Sequence, residues 1–291
     1  MTIQDIACNL GISWGVIKSI DKNYLKHKYK TIDLRHLKYI AIDEFSIKKG
    51  HKYMTVVMDL ETKRIIFVNE GRSASCLYPI LKRLKRLKIK PNAFAMDMWI
   101  PYFNSVMEYF PKTPIIFDRF HIVKNLNKTI SDIRKEVFRD EIDINKRNLI
   151  KGTRWLLLKN NQNLDNNKGE KERLKKALNI NKPLATAYYL KEDLHQIWFQ
   201  KNLADAKKFL GSWVAKAKAS GIKLMIKFAN SLLAHRSGIF NWFNHKISTG
   251  PLEGMNNKIK VLKRNAYGYR DIEYFKLKVL NLHNEKYPLL R

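Results

Sequence analysis

The chain has 291 residues and a formal net charge of +30, from 56 Lys and Arg against 26 Asp and Glu. Hydrophobic residues make up 45% of it, enough for one large domain or a few small ones, which excludes wholesale disorder. A cationic excess this large goes beyond solubility tuning and calls for a polyanionic partner, with nucleic acid first because phosphates reward dispersed Lys and Arg.

Residues 2–20, "TIQDIACNLGISWGVIKSI", read as two short helices around a turn at Gly11, with Ser13 as N-cap of the second. Ile6, Leu10, Ile12, Val16, Ile17 and Ile20 supply the apolar spacing. This is helix-turn-helix grammar, and it leaves Trp14 and Lys18 on the second helix as candidate DNA contacts. An ordinary helical hairpin fits the same pattern. The pattern starts at the first residue, where a trihelical domain needs a further helix, so a shortened N-terminus is expected. Residues 1–35 form this partial helix-turn-helix and its basic linker.

The texture then changes. "LKYIAIDEFSI", "KYMTVVMDL" and "RIIFVNEG" are three β-rich runs joined by short turns at Lys48-Lys49-Gly50 and around Glu61-Thr62-Lys63, an antiparallel meander. "SCLYPILKRLKRLKIK" follows as a helix, with Leu77, Leu81, Leu84 and Leu87 toward a core and Lys82 and Arg83 outward as candidate DNA contacts. "NAFAMDMW" is a fourth strand, "YFNSVMEYF" a helix and "TPIIFDRF" a fifth strand. The order βββαβαβ implies an α/β fold with a mixed five-stranded sheet, spanning residues 36–121. Residues 122–246 read as a basic, all-helical stretch with a polar loop at 159–173, and residues 247–291 return with a further amphipathic helix. The tryptophans of the helical stretch read first as core, with base stacking as the sharper alternative.

Cys8 and Cys76 form no CxxC pair, so neither a disulfide framework nor a cysteine zinc site is written here. The sequence has no signal peptide and no apolar run of membrane-spanning length. A cytoplasmic location away from membranes is the expectation. P-loop, GxGxxG, HExxH and GxSxG signatures are absent from the sequence.

The chemistry falls to carboxylates. Asp43 ends "YIAID" and Asp97 ends "AFAMD", and an acid beside a buried strand run is costly unless paired or metal-bound. If the first and fourth strands are parallel neighbours, both acids emerge on one edge, where a divalent cation relieves their repulsion. Oxygen ligands alone favour Mg²⁺ or Mn²⁺ over zinc. The third candidate is Glu253, in the first turn of the helix that Pro251 opens. Glu253, Asn257, Lys260 and Arg264 share a face separate from the stripe Leu252, Met255, Ile259 and Leu262, so one acid heads a column of phosphate-binding side chains. Each acid also has a blander reading as a turn former or cap. Asp118 and His121, in "FDRFHIVK", read as structural or supporting groups.

Three segments, "YIAIDEFSIKKGHKYMTVVMDLETKRI", "AMDMWIPYFNSVMEYFPKTPIIFDRFHIVKNLN" and "STGPLEGMNNKIKVLKRNAYGYRD", together resemble the DDE transposases of bacterial insertion sequences, the ISL3 family above all. The resemblance implies a ribonuclease-H-like fold with a helical insertion between the second Asp and the Glu. It implies Asp43, Asp97 and Glu253 as the triad holding two Mg²⁺ ions for DNA strand cleavage and transfer at element ends, by a homodimer or higher oligomer on DNA. Family members usually carry a zinc-binding segment ahead of the helix-turn-helix, which is missing here. Two other readings stay open: a shortened transposase that only binds DNA or inhibits the full-length enzyme, and a ribonuclease-H-like nuclease that cuts without integrating.

Overall fold

A computed structural model describes residues 2–48, 50 and 52–283. Lys49, at the centre of the expected first turn, lies outside the described residues, as do the last eight of the 247–291 segment. The chain divides into two compact units: residues 1–118 with 247–291, and residues 119–246.

The first unit is built on one sheet. Strands β1 (Tyr39–Lys48), β2 (Lys52–Asp59), β3 (Ile65–Glu70), β4 (Ala93–Met96) and β5 (Ile115–Phe117) lie in the order β3-β2-β1-β4-β5. β1 pairs antiparallel with β2 and parallel with β4, and β4 pairs parallel with β5. This is the mixed five-stranded sheet expected from the strand order, and it is the arrangement that the family resemblance implied. The short runs β4, inside the sheet, and β5, at its edge, are buried at every position, as parallel strands covered on both faces are. Helices α1 (Ile3–Leu10) and α2 (Trp14–Lys28) precede the sheet, while α3 (Tyr78–Arg86) and α4 (Ile100–Tyr109) cross between strands.

The remaining helices are α5 (Arg119–Asp140), α6 (Ile144–Lys151), α7 (Arg154–Leu158), α8 (Glu170–Ile180), α9 (Lys182–Leu194), α10 (Leu203–Ala219), α11 (Lys223–Ala234), α12 (Arg236–Phe240), α13 (Trp242–His245), α14 (Gly250–Asn265) and α15 (Ile272–Asn281). Of these, α14 and α15 return to the first unit. Their Leu252, Met255, Ile259, Phe275 and Val279 bury against Ala41, Phe45, Met54, Val56, Met58 and Ala95 on one face of the sheet. Phe275 stands edge-on to Phe45 at 6.0 Å and stacks with Tyr269 at 4.6 Å. Burying such a ring contributes about 2–3 kcal/mol, and each aromatic contact adds about 1 kcal/mol.

The second unit is all helical among the described residues. α5 supplies its spine, with Ile122, Leu126, Ile130 and Ile133 on one buried stripe. Trp213 and Trp198 are core residues as their spacing suggested, whereas Trp155 is exposed, with Arg154 stacked on its ring at 4.8 Å. Lys191 is fully buried, a costly place for an ammonium. It donates to the carbonyls of Leu157 and Lys159 at the end of α7 (2.9 and 2.7 Å), and burial lowers its pKa.

Three sequence expectations need correction. The helical unit starts at Arg119 rather than residue 122, because α5 begins directly after β5. Leu87 is exposed, because α3 ends at Arg86 and Leu87 belongs to the turn beyond it. In the N-terminal pair, Leu10, Ile12, Val16 and Ile20 are exposed, and it is Ala7, Ile17 and Leu25 that are buried. The reason is the partner of α2: it packs against α15 through the side bearing Lys18, Asp21 and Lys22, so the Val16/Ile20 stripe turns away.

Candidate active site

β1 and β4 run parallel with Tyr39 beside Ala93, Ile40 beside Phe94 and Ala41 beside Ala95. The pairing ends two residues short of Asp43 on β1, and Asp97 lies just past the end of β4. Alternation along β1 puts Asp43 between Ala41 and Phe45, on the face that receives α14, and Glu44 on the opposite face beside Thr55. Asp43 is buried, with 8% exposure. Its Oδ1 accepts the Glu44 amide (2.8 Å), and its Oδ2 accepts Nδ2 of Asn256 (2.8 Å). Asp97 follows β4 directly, and its Oδ1 accepts the Met98 amide at 2.6 Å, turning the chain out of the sheet.

Asn256 was missed by sequence reasoning, which put Asn257 on the working face. Leu252, Met255, Asn256 and Ile259 are the four buried residues of α14, at i, i+3, i+4 and i+7. Asn256 is thus a polar residue in a core position, and a polar residue there needs a partner. Asp43 meets its Nδ2, while its Oδ1 is buried with no hydrogen-bond partner. Glu253 lies one turn earlier on the same helix. Its side chain is exposed, as are those of Asn257, Lys260 and Arg264, and Lys260 Nζ donates to Asn257 Oδ1 at 3.2 Å. Among the described residues no group of three His, Cys, Asp or Glu is drawn into an arrangement that could hold a metal ion. The structure therefore carries Asp43 on β1 and Asp97 directly after the neighbouring parallel strand β4, and ties the Glu253 helix to Asp43, with the Glu253 side chain itself turned to solvent.

Asp118 directly follows β5 and is buried at 6% exposure. Its Oδ2 accepts a short hydrogen bond from Oγ1 of Thr249, the buried N-cap residue of α14. This bond ties the helix start to the sheet. Replacing Thr249 by valine keeps the shape and removes the donor, so we expect a loss of about 1–3 kcal/mol of stability, read as a lower urea midpoint. His121 lies on α5, in the helical unit, with its ring edge-on to Phe120. Asp59 serves the β2–β3 turn, accepting the Glu61 amide (3.0 Å) and the Thr62 hydroxyl (2.6 Å).

The other sequence-selected cations divide in two. Lys82 is exposed, whereas Arg83 donates to the Ile32 carbonyl at 2.7 Å and fastens the linker before β1. Trp14 is exposed, while Lys18 pairs with Asp271 at 3.0 Å, so its charge is already engaged within the chain. Asp271 caps α15. The Tyr274 amide, with Lys22 and Lys18, holds its carboxyl well below the usual range.

Residues 40–279 match a family model described as "Transposase", that of the ISL3-type DDE enzymes. The chain is 34% identical over 284 residues to the transposase for insertion sequence element IS1001 of Bordetella parapertussis, covering 95% of this chain and 68% of that protein. It is 26% identical over 285 residues to the transposase for IS1557 of Mycobacterium tuberculosis, covering 89% of this chain and 63% of that protein. It thus spans about two thirds of the length of these relatives. Among solved structures, the Drosophila P element transposase strand transfer complex matches 92% of this chain and 82% of that one, with TM-score 0.51 and 10% identity, a likeness of fold.

Proposed function

The chain belongs to the ISL3 family of DDE transposases, and from that premise we propose that it cleaves DNA at insertion-sequence ends and joins the freed 3′ end to target DNA, with Asp43, Asp97 and Glu253 as the catalytic acids. The observation that supports this reading is the parallel pairing of β1 with β4, the strand that carries Asp43 and the strand that Asp97 directly follows, with the Glu253 helix bonded to Asp43 through Asn256.

The donor set is all carboxylate oxygen, which fits Mg²⁺ or Mn²⁺, and Asp43, Asp97 and Glu253 would hold the ion. Bound there, a divalent ion, or a pair, supplies charge stabilisation at the phosphate under attack. The chain's own residues do the rest. Asn256 fixes the Asp43 carboxylate from behind. The bond from Thr249 to Asp118 sets where α14 begins and thus where Glu253 stands. Asn257, Lys260 and Arg264 run from Glu253 along the exposed face of α14 and take the DNA backbone, with Lys82 and Trp14 as further contacts. Because Glu253 is exposed, closure of its side chain onto the two aspartates belongs to the DNA- and metal-bound state.

The test is incubation of the purified chain with labelled duplex carrying the terminal inverted repeat of its element, in Mg²⁺, in Mn²⁺ and in EDTA. Nicking and joined products in either metal, and none in EDTA, support the reading. Nicking with no joined product turns it into a nuclease, and tight binding without nicking turns it into a DNA-binding protein. Binding itself should be steeply salt-dependent: several phosphate contacts predict a loss of about 10³-fold in affinity between about 50 and 200 mM salt, measurable by anisotropy.

A further inference from the structure

α14 ends on a tyrosine that local backbone chemistry disfavours. Its last turn closes as a Schellman motif: the Gly268 amide donates to the Lys263 carbonyl (2.9 Å) and the Tyr267 amide to the Arg264 carbonyl (3.0 Å). Tyr267 therefore fills the position just past the helix where the chain must turn left-handed, at φ 48°. Glycine adopts that conformation freely and tyrosine does not. The ring gains no packing in return, because Tyr267 is 101% exposed.

The loop around it is anchored on both sides. Lys263 Nζ donates to the Ser46 carbonyl of β1 at 2.7 Å. Tyr269, two residues on, stacks on Phe275 and packs against the core. Tyr267 is thus held out from a fixed base.

Its surroundings are cationic. Arg264 and Arg270 are exposed, and the nearest acids in sequence, Asp271 and Glu273, are paired with Lys18, Lys22 and Lys26 of α2. The exposed neighbours Asn265, Ala266 and Gly268 are small or polar, so the ring stands alone among arginines and forms no apolar patch of the kind a protein partner covers. An exposed flat ring with an exposed arginine three residues to either side in sequence fits one partner chemistry: a nucleobase with its flanking phosphates.

We propose that Tyr267 is a base-stacking contact of this chain, taking an unpaired base of a DNA strand on its ring while Arg264 and Arg270 hold the phosphates on either side. This rests on DNA being the substrate and adds which part of it the tip of α14 reads. Every base offers a π-face, so the contact selects unpaired over paired DNA and not one sequence.

The probe is a fluorescein-labelled duplex with a four-nucleotide single-stranded tail, compared with the same duplex blunt-ended, both by anisotropy at low salt. The intact chain should prefer the tailed duplex. Tyr267→Ala should lose about tenfold in affinity for the tailed DNA and little for the blunt one, while Tyr267→Phe and Tyr267→Trp keep the preference. Tyr267→Gly separates structure from recognition: it should raise Tm, because glycine suits the left-handed site, and still lose the preference. Equal affinity of the intact chain for both DNAs, or an unchanged preference in Tyr267→Ala, overturns the stacking role while leaving DNA binding intact. Failure of the intact chain to bind either DNA overturns the DNA reading and this one together.

Discussion

Asp43→Asn is expected to reduce DNA-end cleavage by about 10³-fold or more, with the fold and DNA affinity preserved. The magnitude follows from losing charge stabilisation at the reacting phosphate, about 4 kcal/mol of barrier for 10³-fold. Asparagine is the informative replacement because it is isosteric and keeps one of the two acceptors, which can still meet Asn256 Nδ2, at the cost of the one that takes the Glu44 amide. Alanine would also strand a buried amide, at about 1–3 kcal/mol of stability, and mix two effects. Glu253→Gln should lose activity to the same degree with no change in stability, because its side chain is exposed. Single-turnover cleavage rates, with urea midpoints and anisotropy as controls, check both variants. Cleavage by either one within about threefold of the unmodified chain would sink the triad assignment.

The second large effect is expected at Asn256, and its size depends on what replaces it. Asn256→Asp sets a second carboxylate against Asp43 where an amide now donates at 2.8 Å, in a buried setting. An unfavourable buried charge of this kind should cost about 3 kcal/mol of stability and lower cleavage by about 100-fold. Asn256→Leu should behave differently. It removes the buried Oδ1 that has no partner among the described residues, a gain, but it also strips a donor from the buried Asp43 carboxylate, a cost. Stability should fall by about 1–2 kcal/mol, less than in Asn256→Asp, while cleavage falls by about 10- to 100-fold because Asp43 is no longer held. Urea denaturation beside the cleavage assay separates the two. If Asn256→Leu cleaves at the original rate, the amide has no positioning role.

The sheet was legible because its strands announce themselves by composition and its turns by Gly and polar pairs. The parallel pairing of the runs that precede Asp43 and Asp97 was legible because both runs are continuously apolar. Asn256 was harder, although a signal existed. Spacing puts it with Leu252, Met255 and Ile259, yet its polarity suggested the outer face, where Asn257 does lie. A polar residue on a core stripe is a request for a partner, and the partner is distant in sequence. Arg83 and Lys18 were misplaced for the converse reason: a charge was assumed to face solvent, while a carbonyl and a carboxylate from remote segments take them. The Val16/Ile20 stripe showed amphipathicity without showing which side α15 would cover. Such choices depend on long-range packing, which periodicity does not encode.

The bond between Thr249 and Asp118 also bears on how this chain could diversify. Asp118 is the last residue of the first unit before the helical unit begins, and Thr249 lies just after that unit ends. The chain's exit and re-entry points are therefore stapled together inside the sheet unit. The entropy of closing a loop grows only with the logarithm of its length, so once the ends are pinned the length of what lies between them matters little to the sheet. Residues 119–246 behave as a module plugged into a fixed socket. The length of that stretch can therefore change while α14 keeps the same starting point.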